Sequence, residues 1–171
     1  MKIPLFKPTI TEEMKKAVIE ALDSDMLVRG RSVKLFENMF SKYIGTRYSV
    51  SVSSGTNALQ LCLEALRVRG KEVITTPYTF IATSNSILHA GGTPVFVDID
   101  KEGFTIDPEG IESSITDKTA GIIPVHLYGF PCRMKEIKNI SKENEVFVLE
   151  DACQAHGSSY MGKTTSTGSN A

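Results

Sequence analysis

The sequence predicts an α/β layered domain whose strands are parallel and joined by helical crossovers. Three observations carry this prediction. From residue 45 onward, short apolar runs recur at 49–52, 73–76, 94–99, 121–125 and 146–149. The stretches between them have helical periodicity and enough length to cross from one parallel strand to the next. The last run then delivers two acids, Glu150 and Asp151, to the carboxyl end of a strand, where open α/β sheets place their ligand crevice.

The elements follow in order. Residues 12–22 and 32–43 read as amphipathic helices, with Ser32 placed to cap the second. The link between them, Asp25-Met26-Leu27-Val28-Arg29-Gly30-Arg31, is loop-like yet unusually apolar, so it packs on its own domain or against a partner subunit. The run 49–52 is the first strand. Residues 56–68 form the clearest helix, with Asn57, Gln60, Glu64 and Arg67 as one polar stripe, ended by Arg69-Gly70. A helix beginning near Phe80 is ended by Gly91-Gly92. Residues 164–171 are small and polar, and by composition a frayed tail.

Bulk properties narrow the classes. A chain of 171 residues suffices for one domain with a sizeable core. With 41% hydrophobic and 23% charged residues it is not a disordered segment. Net charge is −1 without a basic stripe, which points away from nucleic acid and membrane surfaces. The start lacks the apolar core of a signal peptide, and no run reaches the ~18 residues of a membrane span. Cys62, Cys132 and Cys153 lack metal-ligand spacing and read as free thiols in a reducing cytoplasm. His126 and His156 lie near the expected crevice without carboxylate or cysteine partners, so structural hydrogen bonding is their reading and not a metal site.

Candidate ligand positions occur at three strand ends. Ser53-Ser54-Gly55-Thr56-Asn57 is a small turn opening a helix, where backbone N–H groups and the helix dipole favour an anion such as phosphate; such turns also simply cap helices. In Pro77-Tyr78-Thr79-Phe80, an aromatic past a strand end would stack on a flat ring, or Phe80 would pack in the core. Asp151 is a helix cap or ion-pair partner, or a carboxylate aimed at a protonated ring nitrogen, with Gln154 donating to a ring oxygen or lying exposed on a helix. Cys153 beside it reads as a packing residue and not a nucleophile. A phosphate cradle, a ring stacker and a pyridinium partner together describe the contacts of a planar phosphorylated pyridine.

The chain resembles the DegT/DnrJ/StrS-type sugar aminotransferases, pyridoxal-phosphate enzymes of the aspartate-aminotransferase fold. The resemblance runs from Ile3-Pro4-Leu5 to about Gly162. Its landmarks are Ser53-Ser54-Gly55-Thr56-Asn57-Ala58-Leu59, Pro77-Tyr78-Thr79-Phe80-Ile81-Ala82, Pro94-Val95-Phe96-Val97-Asp98-Ile99-Asp100, Pro124-Val125-His126-Leu127-Tyr128-Gly129 and Glu150-Asp151-Ala152-Cys153-Gln154-Ala155-His156-Gly157. It implies a mostly parallel sheet flanked by helices, the large cofactor domain of a fold-type I enzyme, truncated. It further implies pyridoxal 5'-phosphate (PLP) as cofactor, with Gly55 and Thr56 on its phosphate, Phe80 stacked on its ring, Asp151 on its nitrogen and Gln154 near its 3′-hydroxyl. The implied organisation is amino-terminal helices with a dimer-facing loop over 1–44, an incomplete PLP domain over 45–162 and a polar tail over 163–171.

Two departures matter. Val28-Arg29-Gly30 stands where Thr-x-Gly is usual, in the loop that the resemblance turns toward a neighbouring subunit. The Ser-Phe-x-x-x-Lys-Asn-type segment that carries the Schiff-base lysine is not in the sequence; Lys163 matches the turn after Tyr160-Met161-Gly162 instead. The expected function is therefore the amino-terminal part of a cytoplasmic PLP-dependent aminotransferase, moving an amino group, from glutamate in most of the family, to a keto group of a nucleotide-linked sugar. Its partners are that substrate and amino donor, and a second copy or a complementary carboxyl-terminal chain. The alternatives are a non-catalytic binding protein, an inactive remnant or, within the family, a sugar dehydratase.

Overall fold

The computed structural model describes residues 7–165; the start of the resemblance at Ile3-Pro4-Leu5 and residues 166–171 of the expected tail lie outside them. The chain divides into two compact units, residues 7–43 with 47–51 and residues 44–46 with 52–165.

The first unit is built on helices α1 (Glu12–Leu22) and α2 (Arg31–Ile44). Thr11 caps α1 by accepting the Met14 N–H, and Glu12 and Glu13 occupy the first turn, where the helix dipole favours acids. Helix α2 starts at Arg31, so Ser32 lies inside the first turn and not at the cap expected of it. The run 49–52 is not a strand. Val50 is exposed, and Ser51 gives both its N–H (2.8 Å) and its hydroxyl (2.9 Å) to the Glu37 carboxylate. A side chain thus satisfies the backbone donor that a sheet ladder would have used.

The second unit holds helix α3 (Gly55–Ala65), strand β1 (Glu72–Thr75), α4 (Ala82–His89), β2 (Thr93–Phe96), α5 (Pro108–Ser114), β3 (Thr119–Ile122), α6 (Met134–Glu143), β4 (Phe147–Val148), and a hairpin of β5 (Ser159–Tyr160) and β6 (Lys163–Thr164). Strands β1 to β4 form one parallel sheet in the order β2-β1-β3-β4, each crossover carrying a helix. Alternate residues of β1 feed opposite faces. Ile74 enters a core with Ile111, Ile122 and Ile137, on the side of α5 and α6, while Val73 packs with Leu63, Val68 and Ile87 on the side of α3 and α4. At 0% exposure, each such side chain contributes about 1.5–3 kcal/mol through burial. Gly121 lies opposite Phe147 across the β3–β4 pair, and any Cβ there would overlap the Phe147 ring.

Helix α3 ends at Ala65, short of the Arg69-Gly70 stop expected from the sequence. The closing bonds run from Arg67 N–H to Glu64 and from Val68 N–H to Leu63, with Arg67 at φ 56°. Helix α4 closes in the same way through Gly91 and Gly92, as the sequence predicts, with Gly91 at φ 80°. The first residues of the expected polar tail are instead paired in the β5–β6 hairpin, whose turn passes through Met161 and Gly162, both at positive φ.

Candidate cofactor site

Asp151 stands where the sheet ends. Its N–H donates to the Pro124 carbonyl (2.9 Å) and its carbonyl accepts the His126 N–H (3.0 Å), so the β3–β4 pairing continues to this residue. Pro124 has no N–H to give, which thins the ladder just before this point. The side chain is 7% exposed. Its Oδ2 accepts the Thr83 hydroxyl (3.0 Å) and its Oδ1 accepts the Cys153 N–H (3.2 Å). Both donors are uncharged, and both aim the carboxylate without neutralising it.

Glu150, one residue earlier, turns the opposite way as extended backbone requires. Its carboxylate meets His126 Nε2 (3.1 Å) and Lys138 Nζ (3.4 Å) beneath the sheet end. The Cys132 N–H donates to His126 Nδ1 (3.1 Å), so Nδ1 carries the lone pair and the ring proton on Nε2 points at Glu150. His126 therefore has the carboxylate partner that sequence reasoning did not give it, in a wholly buried structural bond. Among the described residues no group of three or more His, Cys, Asp or Glu is placed to hold a metal ion.

The turn before α3 lies beside Asp151. Ser54 accepts the Asn57 N–H (3.2 Å), and the Ser54 carbonyl takes the Ala58 N–H (3.0 Å). The Gly55 and Thr56 amides remain at the positive end of the helix. A Cβ on Gly55 would stand 2.5 Å from Cys153 Sγ, so only glycine lets the turn close against the segment that carries Asp151. Helix α4 is fastened to the same turn by the Ser86 hydroxyl, which donates to the Thr56 carbonyl (3.1 Å). Cys153 is exposed, and desolvation, then the charge of Asp151, push its thiol up to about 12, away from the thiolate form.

Phe80 and Gln154 complete the set. Phe80 is 69% exposed, which overturns the alternative that it packs in the core. It lies just before Ile81, the cap residue of α4, its carbonyl accepting the Thr83 N–H (3.1 Å), one helical turn before the hydroxyl that reaches Asp151. Gln154 is exposed in a turn and not on a helix. Its Oε1 accepts the Tyr128 N–H (2.9 Å), which fixes the amide and leaves its NH2 to donate. Lys163 is exposed in β6. Thr83 and Ser86 had no part in the sequence reading, and Tyr128 entered it only as a landmark of the resemblance. The i, i+3 spacing of Phe80 and Thr83 was the one signal that could have found Thr83.

A parallel sheet with an anion-type turn, a held carboxylate and an exposed aromatic at its carboxyl end defines a class of α/β proteins built around a flat, anionic cofactor. Residues 8–171 match the DegT/DnrJ/EryC1/StrS aminotransferase family, and the chain belongs to it. It is 48% identical over 166 residues to an uncharacterised protein of Methanocaldococcus jannaschii, covering 96% of this chain and 43% of that one. It is 42% identical to the GDP-perosamine synthase of Escherichia coli O157:H7, covering 96% of this chain and 46% of the synthase. A sugar-aminotransferase homologue from Streptococcus pneumoniae, in its PLP form, superposes with a TM-score of 0.92 at 33% identity, over 96% of this chain and 46% of that one. The chain thus spans less than half the length of these relatives. The fold is that of the PLP-dependent aminotransferases, and PLP is the family's cofactor.

Proposed function

We propose that this chain is the cofactor-holding amino-terminal part of an aminotransferase that acts on a nucleotide-linked sugar. The observation that carries the reading is the Asp151 carboxylate, buried yet met, among the described residues, by uncharged donors from Thr83 and Cys153. A buried carboxylate is stabilised by a cation, and a protonated pyridine nitrogen is one. The residues present fit PLP. Gly55 leaves room where a side chain would collide, the Gly55 and Thr56 amides offer an anion cradle, and Phe80 presents an exposed ring.

In this reading the Gly55 and Thr56 amides bind the phosphate and Phe80 covers one face of the ring. Asp151 holds the proton on the ring nitrogen, and the NH2 of Gln154 donates to the ring oxygen. Bound PLP supplies an electron sink for proton removal beside an amino group. Thr83 and the Cys153 N–H orient Asp151, so that the carboxylate does not have to reorganise as charge moves. Lys163, exposed in the hairpin, is not the catalytic lysine; that residue comes from outside this sequence, further along a longer polypeptide or on a second chain. Residues 1–44 serve as the amino-terminal helices with a loop facing a second subunit, and 45–162 as the PLP-binding part. The amino donor is an amino acid such as glutamate, and the setting is the cytoplasm.

The test is a visible-absorbance titration of the chain with PLP. Saturable binding is expected, weakened roughly 10-fold or more by Asp151→Asn, since a charge-assisted contact is worth about 1.5–3 kcal/mol. A chain that does not bind PLP, or binds it equally well after that substitution, would remove the enzyme reading. Restoration of amino transfer by a lysine-bearing carboxyl-terminal partner separates the split enzyme from a non-catalytic PLP holder.

A further inference from the structure

Four aromatic rings converge on a cavity of about 290 Å3 outside the carboxyl end of the sheet. The order β2-β1-β3-β4 places β2 on one side of β1 and β3 on the other, so the chain reverses direction at β1. A crevice at such a switch point is where open α/β sheets take ligands. Tyr78 enters the cavity from the loop after β1, Tyr128 and Phe130 from the loop after β3, and Phe104 from the loop after β2. The volume stands at the lower end of the ~300–1,000 Å3 range of small-molecule pockets, which suits one ring system.

These rings are not core residues: Tyr128 is 79% exposed, and Tyr78, Phe104 and Phe130 are exposed as well. Phe104 and Tyr128 both sit at φ 54°, a left-handed backbone that residues with a Cβ adopt only when their surroundings impose it. The surroundings are visible. The Asp100 carboxylate accepts the Glu102 and Gly103 N–H groups and the Thr105 hydroxyl, and the Asp100 carbonyl accepts the Phe104 N–H (3.2 Å). Those bonds, the one from Gly103 foremost, hold the Asp100 carboxyl below its ordinary range. A Cβ on Gly103 would stand 3.0 Å from the Phe130 ring, so this loop closes directly on that aromatic. Tyr128 is fixed by its N–H bond to Gln154, which places one cavity wall a single hydrogen bond from the candidate cofactor site.

We propose that this cavity takes the base of the substrate's nucleotide, and that Glu102, the one carboxylate in its lining, selects guanine. The inference rests on the nucleotide-sugar aminotransferase reading above and names the substrate class of that site. Exposed rings on several sides fit a flat base, because every base has a π-face on which an aromatic stacks. An ionised carboxylate only accepts hydrogen bonds. Guanine presents adjacent N1–H and N2–H donors on one edge, one for each oxygen. Uracil and thymine set a single N–H between two carbonyls, and adenine and cytosine set their amino group beside a ring-nitrogen lone pair. A carboxylate meets repulsion in each of those cases.

The experiment titrates GDP, UDP and ADP calorimetrically into the chain saturated with PLP, which keeps nucleotide phosphates off the Gly55–Thr56 turn. PLP binding is followed separately by absorbance. GDP is expected to bind roughly 10-fold tighter than UDP or ADP, the size of one bidentate readout. Tyr128→Ala and Phe104→Ala each weaken GDP by roughly 10-fold, the loss of one base–ring stack. Glu102→Gln brings GDP to the level of UDP. PLP affinity stays constant in Phe104→Ala and Glu102→Gln, because both side chains are exposed in the loop after β2. Equal binding of the three nucleotides, GDP binding indifferent to both aromatic replacements, or no GDP binding by a chain that does bind PLP would each overturn the inference and leave the cofactor reading intact. GDP binding through these residues in a chain that fails to bind PLP would overturn the cofactor reading instead.

Discussion

Gly55 and Cys153 are a matched pair whose coupling is measurable. A Cβ at position 55 would lie 2.5 Å from Sγ but 3.8 Å from the Cys153 Cβ, so the sulfur alone is the obstruction. Gly55→Ala is expected to destabilise the chain by about 1–3 kcal/mol, as overpacking does. It should also weaken PLP roughly 10-fold, since displacing the turn moves the phosphate amides. The Gly55→Ala/Cys153→Ala double variant removes the obstruction and should recover most of both losses. Because the Cys153 thiol is held up near about 12, its replacement alters packing and not charge at neutral pH. Urea denaturation and PLP titration of the two single variants and the double variant complete the cycle. A double variant as impaired as Gly55→Ala would locate the fault in the backbone of the turn, and the pairing argument would fail.

Among the elements, the helix ends show what is local and what is not. Gly91 and Arg67 occupy the same place in the closing bonds of α4 and α3, but only Gly91 is a residue at ease with positive φ. Arg67→Gly should therefore stabilise the chain by roughly 1 kcal/mol, relief of left-handed strain exceeding the added freedom of the unfolded chain. The measurement is the midpoint of urea unfolding at unchanged slope; an unchanged or lowered midpoint would show that Arg67 is held by contacts worth more than the strain. The same pair explains which boundaries were legible in the sequence. Helix α1 is bounded as read, because Thr11 and the acids after it act within one turn. The end of α3 was overrun, because an arginine gives no sign of the αL conformation it adopts. Strands β1 to β4 follow the apolar runs, whereas 49–52 shares their pattern and is held by Glu37 instead, and alternation cannot report which partner is present. Asp151 was legible because an acid directly after a strand is a local pattern. The Thr83 bond to it spans 68 residues, and the aromatic cavity draws on three separate loops. Those groupings exist only once the sheet has been ordered.

At the scale of the whole molecule, the first unit presents a large apolar surface. Val18 and Leu22 on α1, Leu27 and Val28 in the following loop, and Leu35 and Met39 on α2 are each more than half exposed. Exposed apolar side chains in such number mark an interaction site or a liability to aggregate. Leu27 at 71% and Val28 at 78% are exposed, so neither packs within the first unit. A second copy of the chain is the cover that the dimer reading supplies. Sedimentation velocity across a concentration series is expected to show self-association, and Leu27→Asp with Val28→Asp is expected to shift it toward monomer without loss of helix content, since neither side chain supports a core. If the loop also reaches a neighbour's cofactor site, PLP affinity should rise with protein concentration and lose that dependence in the same variant. A clean monomer at high concentration would exclude the self-association. An associating chain whose PLP affinity is independent of concentration would keep the interface but take the loop out of the neighbour's site.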